Sequence, residues 1–480
     1  MPGNDRQRRF LEAEQKVAAQ SAGLKKELRL GDLVLSQLLY ISGLQWVGTA
    51  AKMGSEHVMY WIAAVLLFYI PSGLVVVHLN QEMPVEGGLY QWAKLRFGGL
   101  VGFLVAWNLW ATLVLILASS FSQIADSLAY LAGPSGRWIV EEKSVTVAVA
   151  MLLMGGLMAF ARRGLALAKW LHNSGGTILV LVLAGMLGFA IPRWWHGTAA
   201  VAPVTFIPSA VSLLNLNLLG KMGFAAFAGF DGCAIFAGEI RDPDVARTIR
   251  RSVWYSAPVI ALFYILGTAC VLAFTQPGQL DLITPTTQML TRGAQAVSIS
   301  ALVAPLASIL MICYLIGSES LYFNALIRLP MVAGWDHLLP AWLSRLHPRY
   351  KTPVGSILCI GVATVVLTIL GNLGVGAQES FQMLNNAGLI CWALTYLVMF
   401  AIPLVARGER PPLGIRIAAA SGFFMSLLYV VLSIFPIIDV KDVAAFTVKM
   451  SGTIVGINAA GAVYYWLANK RRRVLFVRAE

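Results

Sequence analysis

The chain has 480 residues, of which 58% are hydrophobic and only 12% are charged. Its long apolar runs, separated by short polar loops, exclude a water-soluble globular protein and predict a protein that crosses a membrane several times. The formal net charge of +13 is explained by loop charges that orient the helices and contact anionic lipids, so no nucleic-acid partner is expected.

Twelve apolar runs are long enough to be membrane helices, because a helix needs about 20 residues to cross a hydrocarbon core of about 30 Å. They lie at residues 31–53, 58–81, 99–132, 145–161, 171–191, 210–238, 253–275, 294–328, 353–371, 382–406, 414–434 and 444–468. The predicted fold class is therefore an all-α membrane protein with about twelve transmembrane helices.

Polar tails flank these runs at residues 1–30 and 469–480. If both tails are cytoplasmic, most of the 36 Lys and Arg residues lie on the cytoplasmic side, as the positive-inside rule requires. The sequence thus predicts a multi-pass protein of the plasma or inner membrane, surrounded by membrane lipids, with both termini in the cytoplasm.

The first and sixth spans each contain a stretch that interrupts a helix. The first span holds Tyr40-Ile-Ser-Gly-Leu-Gln45, and the sixth holds Ala228-Gly-Phe-Asp-Gly232. Each glycine weakens a helix by about 1 kcal/mol relative to alanine. Asp231 adds about 2.5–3.5 kcal/mol to the free energy of inserting the sixth span, because it is an acid near the centre of a membrane helix. A bound polar solute is the leading explanation for tolerating these costs.

The spacing of the two interruptions predicts how the helices are organised. Interrupted helices five spans apart are typical of an inverted repeat of five plus five helices. We therefore expect a transport core at 31–406, made of repeats 31–191 and 210–406, with two appended helices at 407–468.

Unwound backbone in a membrane can form a binding site, because its N–H and C=O groups need partners from protein or a cavity. Half-helix N-termini suit a carboxylate, and C-terminal carbonyls suit an ammonium group or a cation. Alternatively, the glycines only allow close helix packing. Asp231 favours a ligand, since a packing glycine needs no neighbouring acid, although a buried acid bonded to a neighbouring helix is the other interpretation.

Other polar residues within the spans are weaker candidates. Glu319, in an apolar run, is a candidate site for a substrate ammonium group or a proton. Asp126 is a second candidate that lies near a helix end and is more typical of the membrane interface. Lys221 is expected to extend along the sixth helix to the membrane surface.

Phe224, Phe227 and Phe230 recur every three residues and form either a lid or ordinary packing. The histidines and cysteines lack metal-ligand spacing, so no metal site is predicted. Nucleotide-binding and hydrolase motifs do not occur in the sequence. Neither a cofactor nor an enzymatic activity is therefore expected.

Several motifs carry a family resemblance. In the sixth helix, Phe227–Asp231 matches the pattern F-x-G-[FV]-[ED], and Ala237–Pro243 matches A-G-E-x-x-[ND]-P. In the loops, Pro84–Tyr90 matches P-x-x-G-G-x-Y. Asp336–Pro340 matches D-G-x-L-P, and Thr352–Pro353 matches T-P. Together, from about Leu30 through the tenth helix, they resemble the amino acid–polyamine–organocation permease superfamily.

The resemblance implies an inverted five-plus-five bundle that takes up or exchanges amino acids and related amines. It places the substrate carboxylate at the first break, formed by Ile41, Ser42, Gly43, Leu44 and Gln45. It places the amino group near the carbonyls of the second break, at Phe227, Ala228 and Phe230. The interrupted stretch itself adds Gly229, Asp231 and Gly232 to the predicted substrate-binding residues. Ala225 replaces the family's substrate-capping aromatic residue, which leaves Phe224 and Phe227 as the candidate gate.

The predicted function is therefore a secondary active transporter of amino acids that works by alternating access, coupled to H⁺ or Na⁺ or acting by exchange. A polyamine or organic-cation permease, with Asp231 and Glu319 as ligands, is the alternative within the same superfamily. A nutrient sensor or partner subunit that keeps the transporter fold is the alternative from another class. The sequence leaves the substrate, the coupling ion and the oligomeric state open.

Overall fold

A computed structural model gives the fold of the chain. It describes residues 26–83, 88–201, 205, 212–232, 236, 239–298, 300–330, 338–373, 376–405, 410–438, 440 and 442–477. Most of the predicted N-terminal tail and parts of three family motifs, at 84–87, 237–238 and 336–337, lie outside these residues. Within them the protein is all-α, with one isolated parallel bridge between Leu28 and Ile240.

The main helices are labelled in chain order. They are α1 (Leu30–Ile41), α2 (Gln45–Ala51), α3 (Gly54–Glu82), α4 (Gly99–Ala132), α5 (Lys143–Arg163), α6 (Leu165–Trp195), α7 (Leu213–Gly220), α8 (Val245–Phe274), α9 (Ser300–Leu326), α10 (Val354–Gly371), α11 (Ala377–Leu404), α12 (Leu413–Leu432) and α13 (Val443–Val477). Shorter helices lie at Gly88–Phe97, Trp138–Glu141, Pro285–Ala296 and Ala341–Ser344.

Ten of these helices are long and apolar enough to cross a membrane, within the part of the chain that the structure describes. They coincide with ten of the twelve predicted spans. The other two predicted spans are the first, where α1 stops after 12 residues, and the sixth, where α7 and the π-helical turn that follows it end at Phe227. The protein is therefore a multi-pass membrane protein, and its two shortened spans are the two in which the sequence predicted interruptions.

The predicted eighth span, 294–328, is wrong at its start. Pro285 begins a separate helix that ends at Ala296, and Ser298 has a left-handed φ of 58° that no continuous helix allows. The spanning helix α9 begins only at Ser300. The seventh span also differs, because Asp244 caps α8 at its N-terminus and the helix starts at Val245 rather than at 253.

Two long helices, α4 and α11, form the centre of the bundle and are the most buried spans, whereas α13 is largely exposed. The two central helices approach closely at Gly388, where a Cβ atom would lie 3.0 Å from the carbonyl oxygen of Thr112. The hydroxyl of Thr112 donates to the carbonyl of Gly388 across this contact. Small residues thus let the helix backbones meet, as in other membrane bundles.

Lys221 does not reach the membrane surface, contrary to the sequence prediction. It is fully buried, and its Nζ donates to Asn386 Oδ1 at 3.0 Å and to Ser433 Oγ at 3.3 Å. The reason is packing: the turn that follows α7 packs against α12 and its side chains contact α11, so the side chain of Lys221 points into the bundle rather than along its outside.

A cluster of polar contacts joins three chain segments on the side of the bundle where α1 begins. The N–H groups of Glu27 and Leu28 donate to the carbonyl of Glu239, and the N–H of Arg241 donates to Leu28. The carboxylate of Glu239 is buried and receives two bonds, of 2.7 and 3.0 Å, from the guanidinium of Arg328. This bidentate pair holds the segment after the second break against the end of α9.

Replacing Glu239 with Gln should destabilise the protein strongly, because the guanidinium of Arg328 would remain buried without a counter-charge. We expect a loss of about 3–5 kcal/mol, seen as a lower unfolding temperature of the detergent-purified protein. The control is Glu27→Gln, since Glu27 faces Arg241 at 4.0 Å in a more exposed pair that is worth at most about 1 kcal/mol. Equal shifts in the two variants would contradict a structural role for the buried pair.

Candidate substrate site at the two helix breaks

The first break separates α1 from α2 at residues 42–44. The backbone of Ser42 leaves the helical region, with a ψ of 73°, so the helical hydrogen-bond ladder stops there. The N–H of Gly43 then donates to the hydroxyl of Tyr264 at 3.0 Å. The Oγ of Ser42 is buried and has no hydrogen-bond partner, which leaves it available to a ligand.

The second break begins at Ala228, after a π-helical turn at Lys221–Ala225 and the helical residues Ala226 and Phe227. Gly229 has a φ of 139°, and a Cβ atom there would lie 2.7 Å from Cγ1 of Ile41. Glycine is thus required both by the backbone conformation and by the close approach of the first break.

The two breaks are in direct contact. The side-chain amide of Gln37, on α1, donates to the carbonyl of Gly229 at 3.1 Å. The hydroxyl of Tyr264, on α8, lies 2.7 Å from the carbonyl oxygen of Ile41 and 2.9 Å from that of Ala226. The residues assigned to the substrate carboxylate and to the amino group therefore lie side by side in the bundle.

Tyrosine hydroxyls supply most of the partners that the unwound backbone needs. Besides Tyr264, the hydroxyl of Tyr314 donates to the carbonyl of Ser42, and that of Tyr322 donates to the carbonyl of Tyr40. The hydroxyl of Tyr396 accepts from the N–H of Gly229. Sequence reasoning missed these residues, and the one available signal was that tyrosines recur inside otherwise apolar spans.

Asp231 is the acid at the centre of this region. Its side chain is only 5% exposed, and its Oδ1 accepts a hydrogen bond of 2.6 Å from the hydroxyl of Tyr396. The hydrogen-bond partner is thus a neutral group on α11. A buried carboxylate with a neutral partner can still attract a cationic group of a ligand.

Aromatic rings surround the second break. Tyr69 of α3 lies between Phe227 and Phe230, with ring centroids 4.3 and 4.7 Å away. Phe224 lies apart from this stack and contacts Phe68 and Tyr396 instead. Both candidate gate residues, Phe224 and Phe227, are fully buried.

The other two acidic candidates are not part of this junction. Asp126 accepts from the hydroxyl of Thr284, whose oxygen also lies 3.1 Å from a carboxylate oxygen of Asp281. Gln123 lies one helical turn before Asp126 on α4. Its Nε2 is 3.5 Å from Oε1 of Gln45, at the far end of the first break. Glu319 lines a separate cavity that involves α4, α5, α6 and α9.

Asp242, in the motif after the second break, lies outside the spans and is exposed. It accepts hydrogen bonds from the N–H of Asp244 and the hydroxyl of Thr248, each of 2.9 Å. These bonds hold its pKa below the usual range. The motif thus places the carboxylate of Asp242 close to the N-terminal end of α8.

Comparison with known proteins decides the family. The sequence pattern of the amino acid permease family matches residues 33–459, which is most of the chain. The chain belongs to the amino acid permease family. It is therefore a membrane transporter of the amino acid–polyamine–organocation superfamily and not an enzyme.

Named relatives of this permease are similar along most of its length. An uncharacterized transporter of Legionella pneumophila is 27% identical over 395 residues, covering 81% of this chain and 82% of its own. A probable agmatine/putrescine antiporter of Lactococcus lactis is 20% identical and covers 90% and 92%. An Asc-type amino acid transporter of Mus musculus is 24% identical and covers 71% and 62%.

Adding a single methyl group at the second break of the permease should disrupt the junction. Gly229→Ala introduces a Cβ that clashes with Ile41 at a φ that alanine rarely adopts, so we expect a loss of more than about 1 kcal/mol. Gly188→Ala is the matched control, because a Cβ there meets open space within α6. Thermal unfolding of both variants measures the difference, and an unaltered midpoint for Gly229→Ala would contradict the geometry of the break.

Removing the hydroxyl of Tyr264 tests how the broken backbone is held. Tyr264→Phe leaves the N–H of Gly43 and the neighbouring carbonyls with one partner fewer, which should cost about 1–3 kcal/mol. The same change at Tyr255, an exposed residue of α8, should have little effect on the unfolding temperature. If both substitutions are silent, the hydroxyl does not stabilise the breaks.

Proposed function

We propose that this permease is a secondary active transporter of amino acids that binds its substrate at the junction of the two helix breaks. The observation that carries the proposal is the contact between the breaks, in which Gln37 and Tyr264 join the first break to the second. Membership of the amino acid permease family supports the substrate class.

The chemistry of the junction supports the binding mode. In this proposal the substrate carboxylate interacts with the backbone at Ile41, Ser42, Gly43, Leu44 and Gln45, where the Oγ of Ser42 is a free partner. The ammonium group interacts with carbonyl groups between Phe227 and Phe230 and with the carboxylate of Asp231. Each charged end of a zwitterion then meets groups of complementary polarity.

Alternating access gives the spans of the core different roles. The first, second, sixth and seventh predicted spans, which carry the two breaks and are drawn from both repeats (31–191 and 210–406), would rock against the other spans, while the helices at 407–468 remain accessory. Opening on the α1 side requires separation of the pair formed by Glu239 and Arg328. Phe224 and Phe227 are the proposed gate between the substrate and the outer part of the bundle.

The proposed coupling is to H⁺ or Na⁺ or by exchange, with Asp231 as the first coupling candidate, Glu319 as the second and Asp126 as a peripheral one. The proposed location is the plasma or inner membrane, with both termini in the cytoplasm. This orientation follows from the distribution of Lys and Arg along the sequence.

A polyamine or another organic cation is the second candidate substrate. The buried carboxylate of Asp231, whose hydrogen-bond partner Tyr396 is neutral, favours a cationic ligand. A relative is named as a probable agmatine/putrescine antiporter. The two candidates differ in whether the ligand also carries a carboxylate for the first break.

Uptake into proteoliposomes tests the central site. We expect saturable uptake of an amino acid by the wild type and an increase of about 10- to 100-fold in apparent KM for Asp231→Asn, because a charge-assisted contact with the ammonium group is lost. Glu141→Gln, which changes an exposed acid between α4 and α5, should transport normally. Equal uptake by Asp231→Asn and wild type would show that the ammonium group binds elsewhere.

Thermal unfolding with ligands separates the two substrate classes. A ligand that binds only the folded protein raises the unfolding temperature by mass action. Stabilisation by amino acids is the expected result, and stabilisation by putrescine, agmatine or spermidine alone would assign the permease to cations. Stabilisation without any flux would favour the sensor or partner-subunit function.

A further inference from the structure

A cavity lies away from the helix breaks. It has a volume of about 220 Å³ and is enclosed by α4, α5, α6 and α9. Its walls are apolar, with Phe121, Leu157, Leu171 and Ile316 among them, and the exception is Glu319. None of the residues that line it belongs to either helix break.

Glu319 brings an incompletely bonded carboxyl group to this cavity. The residue is only 2% exposed, and its Oε2 is buried without a hydrogen-bond partner. Ser120 of α4 lies near the carboxyl group, but its hydroxyl donates to the carbonyl of Ile116 at 3.0 Å. A buried acceptor that lacks a donor is rare in folded proteins and marks a place where a donor from a ligand would be favourable.

The cavity opens towards the outer face of α5. Leu152, Gly156 and Phe160 line it at intervals of four residues, so they lie on one face of the helix. Leu152 is 78% exposed and Phe160 is 40% exposed. A Cβ added to Gly156 would meet no other atom within 4 Å. Because this face belongs to a membrane-spanning apolar helix, the opening leads into the bilayer.

We infer that this cavity is a lateral binding site for a hydrophobic primary amine that enters from the bilayer and donates to the free oxygen of Glu319. The cavity is larger than the apolar cavity of about 150 Å³ that accepts benzene in an engineered protein, so a phenyl group on a short arm fits. The apolar walls bind the ring, and the carboxylate selects the ammonium group over a neutral head group.

This site is separate from the proposed substrate site but shares a helix with it. The helix α9 carries Glu319 and also Tyr314 and Tyr322, which hold the carbonyls of Ser42 and Tyr40. An occupied cavity and the first break therefore contact the same helix. The inference does not depend on which substrate the central site takes.

Equilibrium binding of radiolabelled phenethylamine to the full-length protein in nanodiscs tests the inference. The expected result is saturable binding, above the partitioning measured with empty nanodiscs, that becomes about tenfold weaker or more in Glu319→Gln. Unlabelled phenethyl alcohol, which has the same ring and a neutral head group, should compete poorly. Competition by the alcohol as strong as that by the amine would overturn the role of the carboxylate.

Two neighbouring glycines provide a matched pair of blocking variants. Gly156→Phe fills the mouth of the cavity and should abolish saturable binding. Gly155→Phe adds the same side chain to the same helix, where a Cβ also meets open space but the residue does not line the cavity, and should leave binding unchanged. Equal effects of the two substitutions, in either direction, would overturn the assignment of the cavity.

Asp231→Asn distinguishes this site from the central one. It should weaken amino acid uptake while the affinity for phenethylamine stays within about twofold of the wild type, because the two acids line different sites. Loss of phenethylamine binding in Asp231→Asn, with retention in Gly156→Phe, would place the amine at the helix breaks and overturn the lateral site. Failure of the uptake prediction alone would leave the lateral site standing.

Discussion

Unwound backbone inside an apolar bundle is the constraint on which this structure depends. Hydrocarbon offers no hydrogen bonds, so each N–H and C=O that leaves a helix must find a partner in the protein. The partners here come from helices far away in sequence, chiefly through the hydroxyls of Tyr264, Tyr314, Tyr322 and Tyr396. The breaks are therefore properties of the assembled bundle rather than of α1 and α7 alone.

This dependence explains the arrangement of the central helices. The helices α8, α9 and α11 must present their tyrosines to the breaks, so they pack around them, while α5, α10, α12 and α13 have more exposed faces. The same arrangement puts a carboxylate, an unpartnered serine hydroxyl and free backbone groups close together. A polar site in the middle of an apolar bundle follows from meeting the hydrogen-bonding needs of two interrupted helices.

Local sequence features predicted the parts of this architecture that have local causes. Apolar runs mark ten spans that the structure also has, and Gly229 with its neighbouring acid marks the second break. The burial of Lys221 could not be predicted, because it depends on where α11 and α12 lie. The role of Tyr264 was equally hidden, since no sequence pattern shows that one hydroxyl meets two distant carbonyls. The repeat relation and the substrate contacts stay predictions.

The position of Tyr264 between Ile41 and Ala226 has a consequence for the energetics of binding. A phenol carries one proton, so at any moment it can be donated to the carbonyl of only one helix break. The carbonyl of Ile41 also accepts from the N–H of Gly43 at 2.8 Å, so the carbonyl of Ala226 is the one that loses a donor when the phenolic proton is on Ile41. An ammonium group that binds one carbonyl leaves the phenolic proton to the other. The two breaks are thereby thermodynamically linked, and a ligand that supplies the missing donor changes the hydrogen bonding of both halves at once.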